Sequence, residues 1–202
     1  MNVKSDIKRI FIIISIIVSS IQMNFGQSND FESEVNQIIK EFKSRDTALI
    51  NQCIHPKFGM VAIYCKGMMS INGLVRLHEY VFDKNQKELY DYEDFEIDST
   101  FQYEENPVFD CDSGLWNKTG LFCDKKYRDN LLSHSTYKLV DFGVENNYIN
   151  SDIIKEYEKI EKKSIKIFLV DNSGGKFIFY VSKYKGKWYV TIIDEVARYC
   201  GE

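Results

Sequence analysis

The chain has 202 residues, with 26 Lys+Arg against 30 Asp+Glu and 14% aromatic residues. A mildly acidic balance without a Lys/Arg stripe argues against nucleic acid as a partner, because that binding rests on phosphate neutralisation. Only two prolines, no Gly/Ser-rich tract and no internal repeat argue against a linker, so one domain with a sizeable core is the expected organisation.

The first 26 residues read as an address. Lys4, Lys8 and Arg9 form a basic region ahead of the apolar run IFIIISIIV, residues 10–18. That run falls short of the roughly 20 residues a membrane span needs and fits the roughly 7–15 of a secretory leader. Residues 1–26 are therefore predicted to be a signal peptide, and residues 27–202 a single exported domain, periplasmic or secreted. No stable membrane insertion is expected after cleavage. The remaining chain carries 23 basic and 29 acidic residues.

Phe31, Val35, Ile38 and Phe42 recur at helical spacing, with Ile39 widening the stripe. Asp46 is placed to cap a second, short helix carrying Leu49, Ile50 and Cys53, which should stop before Pro56. FGMVAIYCKG, residues 58–67, is β-rich. Ser70 is predicted to cap a third helix whose inward face is Ile71, Leu74, His78 and Val81. FEIDSTFQY, residues 95–103, alternates as a half-buried strand. Residues 111–123 read as a long loop or hairpin, and STYKLVDFGV, residues 135–144, as a further strand. Asn150 or Ser151 then caps a helix with Ile153, Ile154, Tyr157 and Ile160 on one face.

The C-terminal third is the most regular part. IKIFLVD, KFIFYVSKY and KWYVTIIDEV are β-rich runs joined by NSGG and by a tight turn at Lys185-Gly186. Loops this short connect antiparallel neighbours, which predicts a three-stranded meander. Alternation puts Phe177, Phe179 and Val181 on one side and Ile178, Tyr180 and Tyr184 on the other. In the last strand Trp188, Val190, Ile192 and Asp194 should point together. Both faces are largely apolar, so each needs a cover. The fold class expected is α+β, with N-terminal helices packed on a curved antiparallel sheet.

The W-Y-x-T-x-x-D run from Trp188 to Asp194, following an aromatic-rich strand, resembles the nuclear-transport-factor-like (cystatin-like cone) superfamily and exported bacterial domains that end in this manner. The likeness covers the N-terminal helix pair and residues 150–200. It implies a curved sheet wrapped around a helix with an open mouth, a scaffold used by enzymes, transport factors and inert modules alike.

Candidate chemistry is sparse. His78 interrupts an otherwise apolar helical face and could serve as a general base, though a histidine so placed is more often a core residue bonded to a carbonyl. Asp194, with aromatic neighbours, could be its acid partner; strand-end carboxylates more often face water. Trp188 and Tyr180 are the binding candidates. His55 and His134 read as solvated loop residues. DCDSG, residues 110–114, lacks the further oxygen ligands of a calcium loop. No H-x-x-x-H or C-x-x-C spacing, phosphate loop or dinucleotide fingerprint is present, so no metal and no cofactor is expected.

Export would permit disulfides among Cys53, Cys65, Cys111, Cys123 and Cys200. Cys111 with Cys123 is the pairing expected, since the glycines between them would let the chain fold back. The function expected is a non-catalytic binding or interaction domain for an unknown small molecule or protein. A small pocket enzyme, an isomerase, dehydratase or hydrolase using His78 and Asp194, is the alternative. Surface glycan binding would instead need several of Trp116, Tyr127 and Trp188 exposed in a row.

Overall fold

Two of the predicted capping residues act where the sequence places them. Asp46 accepts from the amides of Ala48 at 2.8 Å and Leu49 at 3.2 Å, and Asn150 accepts from Asp152 and Ile153 at 3.0 Å each. Each cap meets two amides that a helix start leaves without a partner. The computed structural model describes residues 30–65, 72–81, 100–143 and 149–197. Its contacts divide the chain into two units, Met1–Gln37 and Ile38–Glu202. In the first unit the described residues 30–37 are helical.

The second unit is α+β. It holds the end of helix α1 (residues 30–44), then α2 (Thr47–Cys53), β1 (Met60–Cys65) and β2 (Asn72–Leu77). Four short strands follow, β3 (Phe101–Gln102), β4 (Phe109–Asp110), β5 (Leu115–Trp116) and β6 (Gly120–Phe122). Helices α3 (Leu131–Asp141) and α4 (Ser151–Glu161) lead to β7 (Ile165–Val170), β8 (Lys176–Tyr184) and β9 (Lys187–Asp194). Seven strands form one sheet in the order β2-β1-β9-β8-β7-β6-β3, and β4 pairs β5 as a separate hairpin.

The predicted meander β7-β8-β9 is present and antiparallel throughout. Its last turn takes Lys185 and Gly186 at φ of 49° and 90°, the left-handed pair that a two-residue hairpin demands. The sheet as a whole is mixed rather than antiparallel, because β1 runs parallel to β9 and β3 parallel to β6. A bulge also breaks the predicted alternation of β9. Ile192 pairs with Tyr180 but Val190 pairs with Val181, successive residues of β8. Val190 and Ile192 therefore face opposite sides, with Thr191 as the extra residue. Its hydroxyl is bonded to the Tyr180 carbonyl at 3.2 Å and to Ser164 Oγ at 2.9 Å, so the irregularity leaves no buried hydroxyl unmet.

Two predicted elements differ in type. Residues 72–77, expected in a helix, form β2, paired along its length with β1 from Met60↔Leu77 to Cys65↔Asn72. The ladder wins over a helical spacing of only a few apolar residues. Ser70 and Ile71 lie outside the described residues, as do residues 95–99 of the expected FEIDSTFQY strand. Conversely STYKLVDFGV, expected as a strand, lies largely within α3, where Leu132, Thr136 and Leu139 are buried at i, i+4 and i+7.

One face of the sheet carries Ile167, Phe177, Phe179 and Ile193, all buried, with Phe42 of α1 lying 5.0 Å from Phe177. The other face packs Val61, Ile63, Tyr180 and Ile192 against Leu132 of α3 and Tyr157 of α4. Each such side chain, fully buried, contributes about 1.5–3 kcal/mol. A smaller cluster of Phe122, Phe168 and Ile178 extends this second face towards Trp116 and Ala197.

Candidate functional site

The second face is where charge enters the fold. Lys166 lies on β7 between Ile165 and Ile167, so it points away from their side and towards α3. Its residue is only 7% exposed. A buried ammonium is costly unless paired, and two carboxylates meet it. Asp129, in the loop before α3, offers Oδ2 at 2.9 Å, and Asp194, at the end of β9, offers Oδ2 at 2.8 Å. The second contact is an ion contact without hydrogen-bond alignment. The Tyr180 hydroxyl donates to the same Asp129 oxygen at 2.5 Å, and Asp194 Oδ1 accepts from the Val196 amide at 3.0 Å. The ammonium also stands 5.0 Å from the Phe168 and Tyr180 ring centres and 5.8 Å from that of Tyr127.

The electrostatics follow from this arrangement. Burial by itself lowers the Lys166 pKa, but Asp194 and Asp129 outweigh it and hold it above the usual lysine value. Lys166 is thus a fixed cation, unsuited to nucleophilic or Schiff-base chemistry, which needs a neutral amine. Burial, reinforced by the same two carboxylates, pushes the Tyr180 phenol well up. Burial also raises the Tyr127 phenol, with Asp129 adding to it against the pull of Lys166.

This cluster floors a cavity of about 430 Å³, within the usual size range of small-molecule sites. Its wall is aromatic: Phe109 and Trp116 from the β4–β5 hairpin, Tyr127, and Phe168 from β7. The start of α3 supplies Asn130, Leu131 and His134. Trp116 contacts Phe109 edge-on at 5.2 Å and Phe168 at 6.3 Å, which ties the hairpin to the sheet. Three buried polar atoms of the lining lack a hydrogen-bond partner, Trp116 Nε1, Asp129 Oδ1 and Asp194 Oδ2, and only the last still meets a charge, the Lys166 ammonium at 2.8 Å. Buried groups of this kind are rare enough in folded proteins that each calls for an explanation.

The start of α3 is itself held unusually. Asn130 occupies the capping position without making a side-chain bond. Glu161, at the end of α4, takes over: its carboxylate accepts from the Leu132 amide at 2.6 Å, the Ser133 amide at 3.3 Å and Ser133 Oγ at 2.7 Å. Burial raises the Glu161 pKa, and the Ser133 and Leu132 bonds partly offset that rise. One carboxylate thereby joins two helices and fixes the segment that presents Asp129.

Of the predicted site residues, Asp194 is 1% exposed and lines the cavity, so it is not a solvated strand end. Tyr180 is buried beneath it, bonded to Asp129. Trp188 sits at the far end of β9 across from Lys183, six residues and so about 20 Å from Asp194, and does not line the cavity. His78 is exposed just beyond β2. Asp194 is level with Ile63 and Leu74, while His78 lies four residues further along, about 13 Å away on that axis alone. The structure does not bring His78 and Asp194 together as an acid/base pair. His134 is exposed at the cavity edge, whereas His55, expected in solvent, is buried. His55 Nδ1 accepts from the amides of Phe58 at 3.0 Å and Lys57 at 3.2 Å. Asp110 of DCDSG turns its oxygens onto the Asp112 amide and the Ser113 hydroxyl, closing the β4–β5 turn.

The Cys111–Cys123 bridge is not formed. Cys123 is a buried thiol whose amide donates to the Gln102 carbonyl at 3.0 Å, extending the β3–β6 pairing. Cys53 and Cys65 are thiols as well. Burial first, and then Glu41, pushes the Cys53 thiol far up, so it is no nucleophile.

Sequence reasoning passed over Lys166 and Asp129. A signal for Lys166 existed: a lone lysine within IKIFLV, a strand apolar on both faces, needs a buried counter-charge. Asp129 gave none, since a carboxylate just ahead of a helix reads as an ordinary cap. No family model, no curated protein and no solved structure matches the chain. Among the described residues no helix is long and apolar enough to cross a membrane, and no group of His, Cys, Asp and Glu could hold a metal ion.

Proposed function

We propose that this is an exported, non-catalytic small-molecule-binding domain, with the aromatic-walled cavity above Asp129, Lys166 and Asp194 as its site. The observation that carries the reading is the buried ion cluster at the cavity floor. Hydrophobic residues in those positions would cost less, so charge kept there sets the polarity of a site rather than stabilising a core. The catalytic alternative loses its pair, because His78 stands far from Asp194, and Lys166 is locked as a cation between its two carboxylates. Export is supported by the leader-like residues 1–26.

Thermal-shift screening of the purified protein against a small-molecule library tests this. A ligand at a hundred times its Kd should add about 2.7 kcal/mol of stability. His134→Trp, which places a large side chain at the exposed cavity edge, should abolish the gain, while His78→Ala should leave it intact. Hits indifferent to His134→Trp but lost with His78→Ala would move the site to the end of β2. Turnover of a hit would make the protein an enzyme.

A further inference from the structure

Trp116 Nε1 and Asp129 Oδ1, which lack even the ion contact that Asp194 Oδ2 makes, narrow the ligand class, granted the binding reading above. Anions are disfavoured first. Asp129 and Asp194 place two carboxylates against one ammonium, and that ammonium is already in contact with both. A phosphate or carboxylate entering here would meet uncompensated negative charge at short range in a poorly hydrated setting. Organic cations fare better against the charge but not against the shape. The place a cation would take among aromatic faces is occupied by Lys166, set between the rings of Phe168, Tyr180 and Tyr127. An ammonium could also donate to Asp129 Oδ1, but it has no lone pair for the indole N–H of Trp116, which can only donate.

A hydroxyl group does both, because it carries one donor and two acceptor lone pairs. A molecule bearing several hydroxyls on a compact ring could donate to Asp129 Oδ1, accept from Trp116 Nε1, and lay its C–H face on Phe109, Phe168 or Tyr127. A bond to the Asp129 carboxylate is of the charge-assisted kind, among the stronger ones a neutral ligand can make. Neither atom touches solvent in the structure, so a ligand reaches them by a shift of the Trp116 ring and of the Asp129 carboxylate that keeps Oδ2 on Lys166 and Tyr180, and each side chain gains a bond it now lacks. We infer that the cavity accommodates a neutral, polyhydroxylated ring, the chemistry of a monosaccharide or one terminal sugar unit.

The experiment uses the full protein carrying Trp188→Phe, which leaves Trp116 as the single tryptophan of the chain and so as a reporter inside the site. Its fluorescence is titrated with D-glucose, D-galactose, D-mannose and N-acetyl-D-glucosamine, and with choline and inorganic phosphate as charge controls. The expected result is a saturable response to at least one sugar and none to choline or phosphate. In a Trp188-containing background, calorimetric titration of that sugar should weaken at least about tenfold with Trp116→Phe, which keeps the ring but removes the N–H. Asp129→Asn should weaken it similarly, and urea unfolding separates lost binding from lost folding. Saturable binding of choline or phosphate without any sugar overturns the ligand class while the binding reading survives. Sugar binding unmoved by Trp116→Phe also overturns the class as argued. Silence from every sugar and control, together with no hit from the wider library, sinks both.

Discussion

The two faces of the central sheet differ although the same strands build them. Along β7, Ile165 and Ile167 turn to one side and meet Val181 and Phe179, while Lys166 between them turns to the other and meets two carboxylates. On the first face stability comes from close packing, as in the stacked rings of Phe177 and Phe179 at 4.4 Å with Phe42 behind them. On the second, apolar packing is interrupted by Lys166, Asp129, Asp194 and Glu161, each buried or nearly so and each held by named partners. The dry face asks only for apolar side chains of the right volume, whereas the charged face depends on every partner being present.

The sharpest way to break this comparison is to alter neighbours on opposite faces. Lys166→Met keeps much of the volume but leaves Asp129 and Asp194 buried without their counter-ion, at a cost of about 3–5 kcal/mol. Ile167→Val, one residue on, removes a single methylene and should cost about 0.5–1.5 kcal/mol. Urea midpoints at constant m-value measure both. Adding Asp129→Asn and Asp194→Asn to Lys166→Met should recover part of the loss, because the stranded charges go with the lysine. A Lys166→Met loss no larger than that of Ile167→Val would show that the cluster is not desolvated as described.

A second test moves to the helices over the charged face. Glu161→Ala removes the acceptor of two α3 amides and of the Ser133 hydroxyl. The expected cost is about 1–3 kcal/mol, since buried donors then lose their partner. Hydrogen exchange at Leu132 and Ser133 should quicken more than in β8, because the damage is local to the start of α3. Glu161→Gln keeps an acceptor and should recover much of that protection. Uniform quickening across the sheet would mean that Glu161 supports the whole domain and not one helix end.

What the sequence disclosed follows the same division. The meander, its turn at Lys185-Gly186 and the caps Asp46 and Asn150 were legible because each depends on residues close in the chain. The strand β2 was misread because Leu74 and His78 fit a helical spacing as well as a strand, and only pairing with β1 decides between them. The strand expected at 135–144 failed through propensity: Thr136, Tyr137 and Val140 favour sheets, yet the helix buries Leu132, Thr136 and Leu139 on one side. The site was half legible. Asp194 stood out, but its true neighbours are Lys166, twenty-eight positions earlier, and Asp129, sixty-five earlier, gathered by sheet register and a helix start that no local pattern encodes. The bulge at Thr191 erased the alternation that would have grouped Trp188 with Asp194.

The smallest effect tests burial at a site away from both clusters, where β9 approaches the loop after α2. His55 is packed against Tyr184 and Tyr189, with ring centres at 5.0 and 5.8 Å, and its Nδ1 must be unprotonated to accept the Phe58 and Lys57 amides. Burial lowers its pKa below the ordinary 6.5. The neutral form is thus favoured in the folded state, so the His55 contribution is complete above pH 6.5. It declines as the pH falls from there towards the lower folded-state pKa, because the unfolded chain takes up the proton first. Glu161, with a raised carboxyl pKa, acts in the opposite sense, gaining stability as it protonates in the folded state. His55→Asn retains an acceptor but does not titrate. The difference in unfolding free energy between wild type and this variant should therefore shrink from pH 7 to pH 5. A difference that stayed constant over that range would place the His55 ring in solvent, and with it the loop that bridges to β9 through the His55 amide and the Val190 carbonyl at 3.2 Å.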